Sequence, residues 1–200
     1  MMIIGVLNIK GGVGKTTSSL GIATAANRDK LDVTLVDTDP QGSATLWSQA
    51  AEDNGDPLPF AVKSMNKAEI HRMRERRPDA DGGLVVIDCP PNGDVVSEVI
   101  RTADFIVVPS SASPIDLQQT MVTCASCQDV GKDYGVLIVM ARKGTNALTA
   151  FRNAVEDAGA GIFDTEIPLR EDFKSDFGHT FKSNLHGYED VWREIKEATE

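Results

Sequence analysis

The sequence lacks long apolar runs, an even set of cysteines and an excess of positive charge. Its longest apolar stretches, such as Val136 to Ala141, are about a third of a membrane span, which excludes a transmembrane protein. Three cysteines without a secretory signal favour reduced thiols and a cytoplasmic location. The 20 Lys and Arg against 30 Asp and Glu give a formal net charge of −10. This charge argues against bulk-charge binding of nucleic acid, since phosphates are repelled unless a local basic patch overcomes the field.

No repeat and no long Pro, Ser or Gly tract divides the chain, so we expect a single domain over residues 1–200. Short β-branched apolar runs alternate with helical patterns, which predicts an α/β fold: a doubly wound, mostly parallel sheet with helices on both faces. The predicted strands are Ile3–Ile9, Val33–Asp37, Leu84–Asp88, Phe105–Val108, Gly135–Ala141 and Ile162–Ile167. The predicted helices are Lys15–Asn27, Ser43–Glu52, Asn66–Arg77, Asp94–Thr102, Pro114–Val130, Asn146–Ala158 and Tyr188–Ala198, and Asp53–Val62 is predicted to be a loop.

A glycine-rich segment, KGGVGKTT, lies between the first predicted strand and the first predicted helix. Glycines let backbone N–H groups approach phosphate oxygens, and the helix N-terminus adds a favourable dipole. Lys15 can neutralise the charge of the β- and γ-phosphates, and the Thr16 hydroxyl can ligate Mg²⁺. The segment therefore predicts a nucleoside triphosphate site, with the cofactor-binding residues Gly11, Gly12, Val13, Gly14, Lys15, Thr16 and Thr17.

The same segment departs from the usual G-x-x-x-x-G-K-[ST] pattern, because Ile9 stands where the first glycine would fall and Lys10 follows it. A second lysine in the loop needs an explanation. Lys10 lies too early to duplicate Lys15, but its ammonium could reach a phosphate across a subunit interface, as an arginine finger does.

Three aspartates lie at or just after the ends of predicted strands. Asp37 ends the second strand and Asp39 lies two residues later, near the ligand crevice of an open α/β sheet, although Asp39 could instead initiate a turn before Pro40. Asp88 ends the third strand, as expected of a carboxylate that holds Mg²⁺ through water. The next residue, Cys89, is predicted to be a packing residue, since nothing beside it would lower the pKa of its thiol.

Together these motifs resemble the ParA/MinD family of deviant Walker A ATPases, especially the small ParF-like partition proteins, over nearly the whole chain. The resemblance implies a sandwich of two subunits and two ATP molecules, in which Lys10 of each subunit contacts the nucleotide of the other. It implies that Asp39 positions the attacking water, while Asp37 supports the magnesium shell. On this basis the catalytic residues are Lys10, Lys15 and Asp39, and the metal residues are Thr16, Asp37 and Asp88.

Adenine contacts are carried over from the same resemblance. Pro109 begins a loop that resembles the proline-containing loop of ParF-like members, and Arg142 follows the next strand. A plain strand-to-helix connection, with Pro114 in the first helical turn, explains the first loop equally well. No N-K-x-D guanine signature is present, so ATP is preferred over GTP.

The function implied by the resemblance is a slow, Mg²⁺-dependent ATPase switch for plasmid or chromosome partitioning. It implies a homodimer in the ATP state that binds nonspecific DNA, associates with the nucleoid and is stimulated by a centromere-binding adaptor. DNA could be contacted by Arg170 and Lys174, or by the segment Lys63–Arg77 with six basic and two acidic residues, which could equally be a solvated helix face or bind an acidic partner. We expect no helix-turn-helix ahead of the glycine-rich segment.

Alternative functions remain open on the sequence. A relative that positions a protein cargo has the same chemistry and a different partner. A metabolic enzyme of the dethiobiotin synthetase type would need a small-molecule pocket. A MinD-like membrane switch is not expected, because Tyr188–Glu200 lacks the basic amphipathic character of a membrane helix. A zinc site at Cys124 and Cys127 is not expected either, since no second pair exists.

Overall fold

Six parallel strands form one sheet in the computed structural model, which describes residues 1–76, 82–170, 173, 176–182 and 184–200. Their order across the sheet is β3-β2-β4-β1-β5-β6, and every pair of neighbours is parallel. Parallel strands are buried on both faces, so this sheet explains the apolar runs and confirms the predicted fold class. The strands are β1 Met2–Val6, β2 Asp32–Asp37, β3 Ala61–Ser64, β4 Gly83–Asp88, β5 Phe105–Ser110 and β6 Tyr134–Ile138.

Helices cover both faces of the sheet. Successive side chains of a strand point to opposite faces, so Ile3 joins one apolar cluster and Ile4 joins the other. One cluster packs α1, α2 and α7 on the sheet, and the second packs α3, α4, α5 and α6 on the other face. In the described part of the chain, no helix has both the length and the apolar character to cross a membrane. The helices are α1 Lys15–Arg28, α2 Ser43–Asp53, α3 Lys67–Glu75, α4 Asp94–Thr102, α5 Pro114–Gln128, α6 Asn146–Asp157 and α7 Tyr188–Thr199.

Two predicted segments differ from the structure. The predicted loop Asp53–Val62 overlaps an edge strand, because Ala61–Ser64 pairs with β2 although its four side chains are not buried. The predicted strand Ile162–Ile167 is wrong: this stretch makes one isolated bridge, between Val136 and Ile162, and forms no strand. In its middle, the backbone N–H groups of Asp164 and Thr165 donate to the Glu194 carboxylate of α7 at 2.7 and 3.0 Å, instead of joining the sheet.

Helix α7 is anchored on α1 at a glycine. Tyr188 is 1% exposed, and a Cβ atom built on Gly21 would lie 2.3 Å from Cδ2 of its ring. The Tyr188 hydroxyl is 3.0 Å from the Ser18 hydroxyl, one turn earlier on α1. A side chain at residue 21 would therefore separate the two helices.

We expect Gly21→Ala to lower the free energy of unfolding by about 1–2 kcal/mol, because overpacking outweighs the gain in helix propensity of about 0.8 kcal/mol. Urea and thermal unfolding measure this change. Glu197→Ala, on the exposed side of α7, is the control and should lie within about 0.5 kcal/mol of the wild type. A Gly21→Ala protein as stable as the wild type would contradict the tight packing of Tyr188.

Candidate nucleotide-binding site

The carboxyl ends of three neighbouring strands bring the predicted site segments together. Strand β4 lies between β1 and β2, and Asp37 is directly opposite Asp88 in the register of β2 and β4. Strand β1 leads into the glycine-rich segment, and α1 begins at Lys15. Ligands of open α/β sheets bind beyond the carboxyl ends of the strands. The topology thus brings together residues that are up to 78 positions apart, from Lys10 to Asp88, at the carboxyl ends of the central strands.

The glycine-rich segment is shaped to receive an anion. Gly12 and Gly14 have φ angles of +78° and +72°, in the left-handed region that favours glycine. Gly14 is the N-cap of α1 and supplies no side-chain cap, so N–H groups of the first turn remain free for a ligand. A Cβ on Gly11 or Gly12 would meet open space within 4 Å, so the segment borders a cavity rather than packed protein.

Lys15 is held across this segment. It is 8% exposed, and its ammonium donates a hydrogen bond to the Lys10 carbonyl at 3.0 Å. Burial lowers the pKa of Lys15, while the negative charges of Asp88 and Asp39 act in the opposite direction. In the described part of the chain no carboxylate forms an ion pair with this desolvated ammonium, and a phosphate group would supply an anionic partner in direct contact.

Asp88 is bound to α1 by two hydroxyl groups. The Thr16 hydroxyl donates to Oδ2 at 2.8 Å and the Ser19 hydroxyl donates to Oδ1 at 3.1 Å. Burial raises the pKa of Asp88 to about 7, and the Asp37 carboxylate also raises it. A divalent cation next to Thr16 would favour the ionised form of Asp88.

The described residues contain no group of three or more His, Cys, Asp or Glu that could hold a metal by itself. Mg²⁺ is usually bound by one or two protein oxygens, substrate phosphates and water. A hydroxyl beside a carboxylate, next to a phosphate-binding segment, fits that requirement. Cys124 and Cys127 are buried, and burial raises the pKa of the Cys124 thiol to about 11 and of the Cys127 thiol to about 12.

Asp37 and Asp39 have different surroundings. Asp37 is fully buried; its Oδ2 accepts hydrogen bonds from the Thr45 N–H and hydroxyl at 2.9 and 2.8 Å, and its Oδ1 accepts from the Asp39 N–H at 3.1 Å. Asp37 therefore fixes the turn between β2 and α2. Asp39 is half-buried and lines the cavity, and its Oδ1 accepts from the Gln41 N–H at 2.9 Å.

A cavity of about 760 Å³ lies between the glycine-rich segment and the turns after β2 and β4. This volume is typical of small-molecule sites. Its lining joins three of the predicted segments with two aromatic residues: Gly11, Gly12, Gly14, Lys15, Thr16, Thr17, Asp39, Pro40, Gln41, Ser43, Trp47, Pro90, Pro91, Asn92 and Phe177.

Some predicted residues lie outside this lining. Val13 is 2% exposed and belongs to the core. Pro109 is buried in β5, where its carbonyl accepts a hydrogen bond from the Asn8 amide at 2.8 Å, and Arg142 is exposed after β6. The Lys10 side chain is half-buried and, in the described part of the chain, makes no hydrogen bond or ion pair. The roles of Pro109 and Arg142 at the base stay predictions.

Other residues of the site were not predicted. Ser19 lies one turn after Thr16 on the same face of α1, a spacing that a helical pattern could have indicated. Trp47 is 5% exposed and belongs to the core, yet it also lines the cavity with Phe177, at 5.4 Å between ring centroids. Phe177 comes from a segment far along the chain, for which the sequence gives no signal.

The basic residues that were predicted to contact DNA differ in their acidic neighbours. Lys67 pairs with Asp94 at 3.4 Å and Arg74 with Glu98 at 3.5 Å, both across to α4. Arg170 lies at a depression with acidic side chains, among them Glu166 and Asp190. Arg77 and Lys174 lie outside the described residues.

Comparison with known proteins agrees with this geometry. The family model described as the CobQ/CobB/MinD/ParA nucleotide binding domain matches residues 4–180. Maintenance of carboxysome distribution protein A of Halothiobacillus neapolitanus is 27% identical over 86% of this chain and 82% of its own length. The chromosome-partitioning ATPase Soj of Thermus thermophilus is 28% identical over 64% of this chain and 61% of its own. The chain spans about half the length of some other curated relatives.

Solved structures share the fold. An McdA variant of Cyanothece in complex with ATP has a TM-score of 0.74 at 17% identity, covering 99% of this chain and 96% of its own. Cobyrinic acid a,c-diamide synthase of Mycobacterium smegmatis with ADP and magnesium has a TM-score of 0.73 at 20% identity, covering 98% and 96%. At these identities the likeness extends to the fold alone.

Proposed function

The chain belongs to the CobQ/CobB/MinD/ParA nucleotide-binding family, and on that basis we propose that it is a dimerising ATPase switch that partitions DNA. The observation that carries the proposal is the different placement of two lysines on one phosphate-binding segment. Lys15 lines the cavity, whereas the Lys10 ammonium has no partner in the described part of its own subunit. A second subunit that brings its nucleotide to Lys10 would supply that partner.

The ligand we propose is ATP with Mg²⁺. Lys15 and the N–H groups of residues 11–17 bind the β- and γ-phosphates, and Thr16, Asp88 and Asp37 hold the cation directly or through water. Mg²⁺ neutralises charge that develops on the β- and γ-phosphate oxygens. The relatives with ATP, or with ADP and magnesium, support this choice of ligand. Pro109 and Arg142 remain proposed contacts of the adenine base.

Hydrolysis in this proposal requires an ordered water opposite the bond that breaks. Asp39 lines the cavity, and its Oδ2, which accepts no hydrogen bond from the residues that the structure describes, would accept one from that water. The water oxygen bonds to the γ-phosphorus, and the bond to the β-phosphate oxygen breaks with its electron pair left on ADP. One water proton stays on the inorganic phosphate and the other goes to solvent, and both products are released. Lys10 of the second subunit stabilises the charge on the transferring group. Turnover is slow until a partner completes this geometry.

The partners we propose are a second copy of this chain, nonspecific DNA and a centromere-binding adaptor. DNA would bind the dimer, because two copies of a weak basic surface bind one DNA molecule together and their binding free energies combine. Arg170 with Lys174, or the segment Lys63–Arg77, would supply the phosphate contacts. The relative named chromosome-partitioning ATPase Soj supports a partition role.

Positioning of a protein assembly is the second candidate function. The relative named maintenance of carboxysome distribution protein A matches 86% of this chain, a larger share than Soj does, and it favours this candidate. The chemistry would be the same, and the adaptor would recognise a protein cargo instead of a centromere. A metabolic enzyme of the dethiobiotin synthetase type would instead hydrolyse ATP without DNA or an adaptor.

The test is the rate of phosphate release with and without nonspecific duplex DNA and the product of the adjacent gene. We expect slow hydrolysis that DNA and the adaptor together stimulate. DNA binding should require ATP, and its affinity should fall at least about tenfold between about 50 and about 200 mM salt. Stimulation by neither component would favour the metabolic alternative, and DNA binding by the nucleotide-free monomer would contradict the switch.

A further inference from the structure

A groove of about 430 Å³ lies between α3 and the sheet, away from the nucleotide cavity. We call it the α3 groove and define it by Lys63, Met65, Arg72, Met73, Arg76 and Val85. Helix α3 is joined to α4 on the side away from this groove: His71 Nδ1 is 2.9 Å from the Glu98 carboxylate, and Arg74 pairs with the same group at 3.5 Å. The groove leaves part of the sheet near β3 without a helix packed directly on it.

The floor of the α3 groove is apolar. Val36 lies in β2 and Val85 in β4. Met65 lies in the connection between β3 and α3, and Met73 lies in α3. Methionine side chains are flexible and adapt to different apolar partners. The floor can thus accept an apolar side chain of a bound molecule.

The rim of the α3 groove is basic. Lys63, Arg72 and Arg76 are exposed, and none of the three makes an ion pair or a side-chain hydrogen bond with any other residue that the structure describes. Arg72 and Arg76 are one helical turn apart and lie on the same side of α3. The Glu69 carboxylate at the groove is occupied in the capping box of α3, where it accepts from the Asn66 N–H at 2.8 Å. Three cations without an ion-pair partner among the described residues thus surround an apolar floor, in a chain with a formal net charge of −10.

This combination favours an acidic peptide over duplex DNA. A peptide can place an apolar side chain on the floor and carboxylates against the three cations. DNA presents phosphates to proteins, and its contacts would use the rim but leave the apolar floor unfilled.

We propose that the α3 groove binds an acidic peptide segment with an apolar anchor, carried by the partner protein that acts on the switch. The assignment to that partner rests on the proposed function. The groove adjoins the strand that carries the acidic site residues, since Val36 precedes Asp37 and the Met65 N–H donates to the Asp37 carbonyl at 3.0 Å. A peptide bound in the groove would therefore contact residues next to Asp37, whose side chain accepts a hydrogen bond from the Asp39 N–H in the following turn.

The test starts with a phage-displayed library of random dodecapeptides, selected on the wild-type protein. Enriched peptides are then labelled with fluorescein, and their affinities are measured by fluorescence anisotropy. The variant is Arg72→Gln with Arg76→Gln. Its matched control, Lys30→Gln with Arg101→Gln, also removes two positive charges, but from exposed side chains outside the groove.

We expect enriched peptides to combine several Asp or Glu residues with an apolar residue. Their affinity should fall about tenfold in the groove variant, the loss of about 1.4 kcal/mol from two ion pairs, and less than about twofold in the control. Met73→Gln, which places an amide on the floor, should weaken the same peptides. Enrichment without acidic residues, or equal affinity for all variants, would overturn the proposal. Loss of duplex DNA affinity in the groove variant with peptide affinity unchanged would assign the groove to DNA instead.

Hydrolysis separates this inference from the function on which it rests. A selected peptide should change the rate of phosphate release by the wild type and leave that of the groove variant unchanged. Peptide binding without any change in hydrolysis would overturn the assignment to the regulatory partner. Absence of hydrolysis in every sample, with peptide binding intact, would contradict the ATPase and leave the peptide site standing.

Discussion

Replacing Lys15 with alanine is expected to weaken ATP binding by at least about a hundredfold. The Lys15 ammonium lines the cavity and is held 3.0 Å from the Lys10 carbonyl, where it can reach phosphate oxygens. Two charge-assisted hydrogen bonds to phosphate contribute about 1.5–3 kcal/mol each, so their loss exceeds a hundredfold in affinity. Calorimetric titration with ATP and Mg²⁺ measures the effect.

Lys30→Ala is the control for this change, because Lys30 is exposed and its side chain makes no hydrogen bond or ion pair in the described part of the chain. It should bind ATP as the wild type does. The Lys15→Ala protein should unfold close to the wild-type temperature without nucleotide, since burial already disfavours the Lys15 charge. It should also lose the stabilisation that ATP gives the wild type. ATP affinity equal to that of the wild type would refute the phosphate site.

Replacing Lys10 with alanine should instead abolish ATP-dependent dimerisation and leave ATP binding by each subunit nearly unchanged. The Lys10 ammonium has no partner in the described part of its own subunit and lies outside the cavity lining. A symmetric dimer uses such a contact twice, so the loss should exceed about 3 kcal/mol, or more than a hundredfold in dimer affinity.

Light scattering with a non-hydrolysable ATP analogue measures this difference. The wild type should shift from the monomer mass of 21.5 kDa to twice that mass, and Lys10→Ala should remain a monomer. Lys30→Ala again serves as the control and should dimerise. A Lys10→Ala protein that dimerises as the wild type does would refute the contact across subunits, and one that no longer binds ATP would place Lys10 in its own site.

The two lysines therefore separate two parts of the proposed switch. Lys15→Ala should abolish binding of ATP, whereas Lys10→Ala should abolish the dimerisation that bound ATP causes. A metabolic enzyme with a single-subunit site would need Lys15 and would tolerate the change at Lys10. The pair of variants thus distinguishes the switch from that alternative even before an adaptor is identified.

The sequence by itself predicted what local pattern controls. Strands buried on both faces need continuous apolar runs, so the fold class followed from β1, β2, β4, β5 and β6. The phosphate-binding segment depends on glycines and on a helix start within eight residues, and both are visible in the sequence. The strand β3 was missed because its side chains are not buried and carry no apolar period. The segment 162–167 was assigned to the sheet because its apolar residues do not reveal that Glu194 binds its backbone.

Only the tertiary structure decided which distant residues meet. The order of strands places Asp88 against Thr16 and Ser19, and the same packing brings Phe177 to Trp47 and Tyr188 to Gly21. It also decided that Lys67 and Arg74 are neutralised by α4, while Arg72 and Arg76 are left around an apolar floor. Sequence patterns record the environment that a side chain requires, such as burial or a turn. The partner that satisfies it depends on long-range packing, which no local pattern contains.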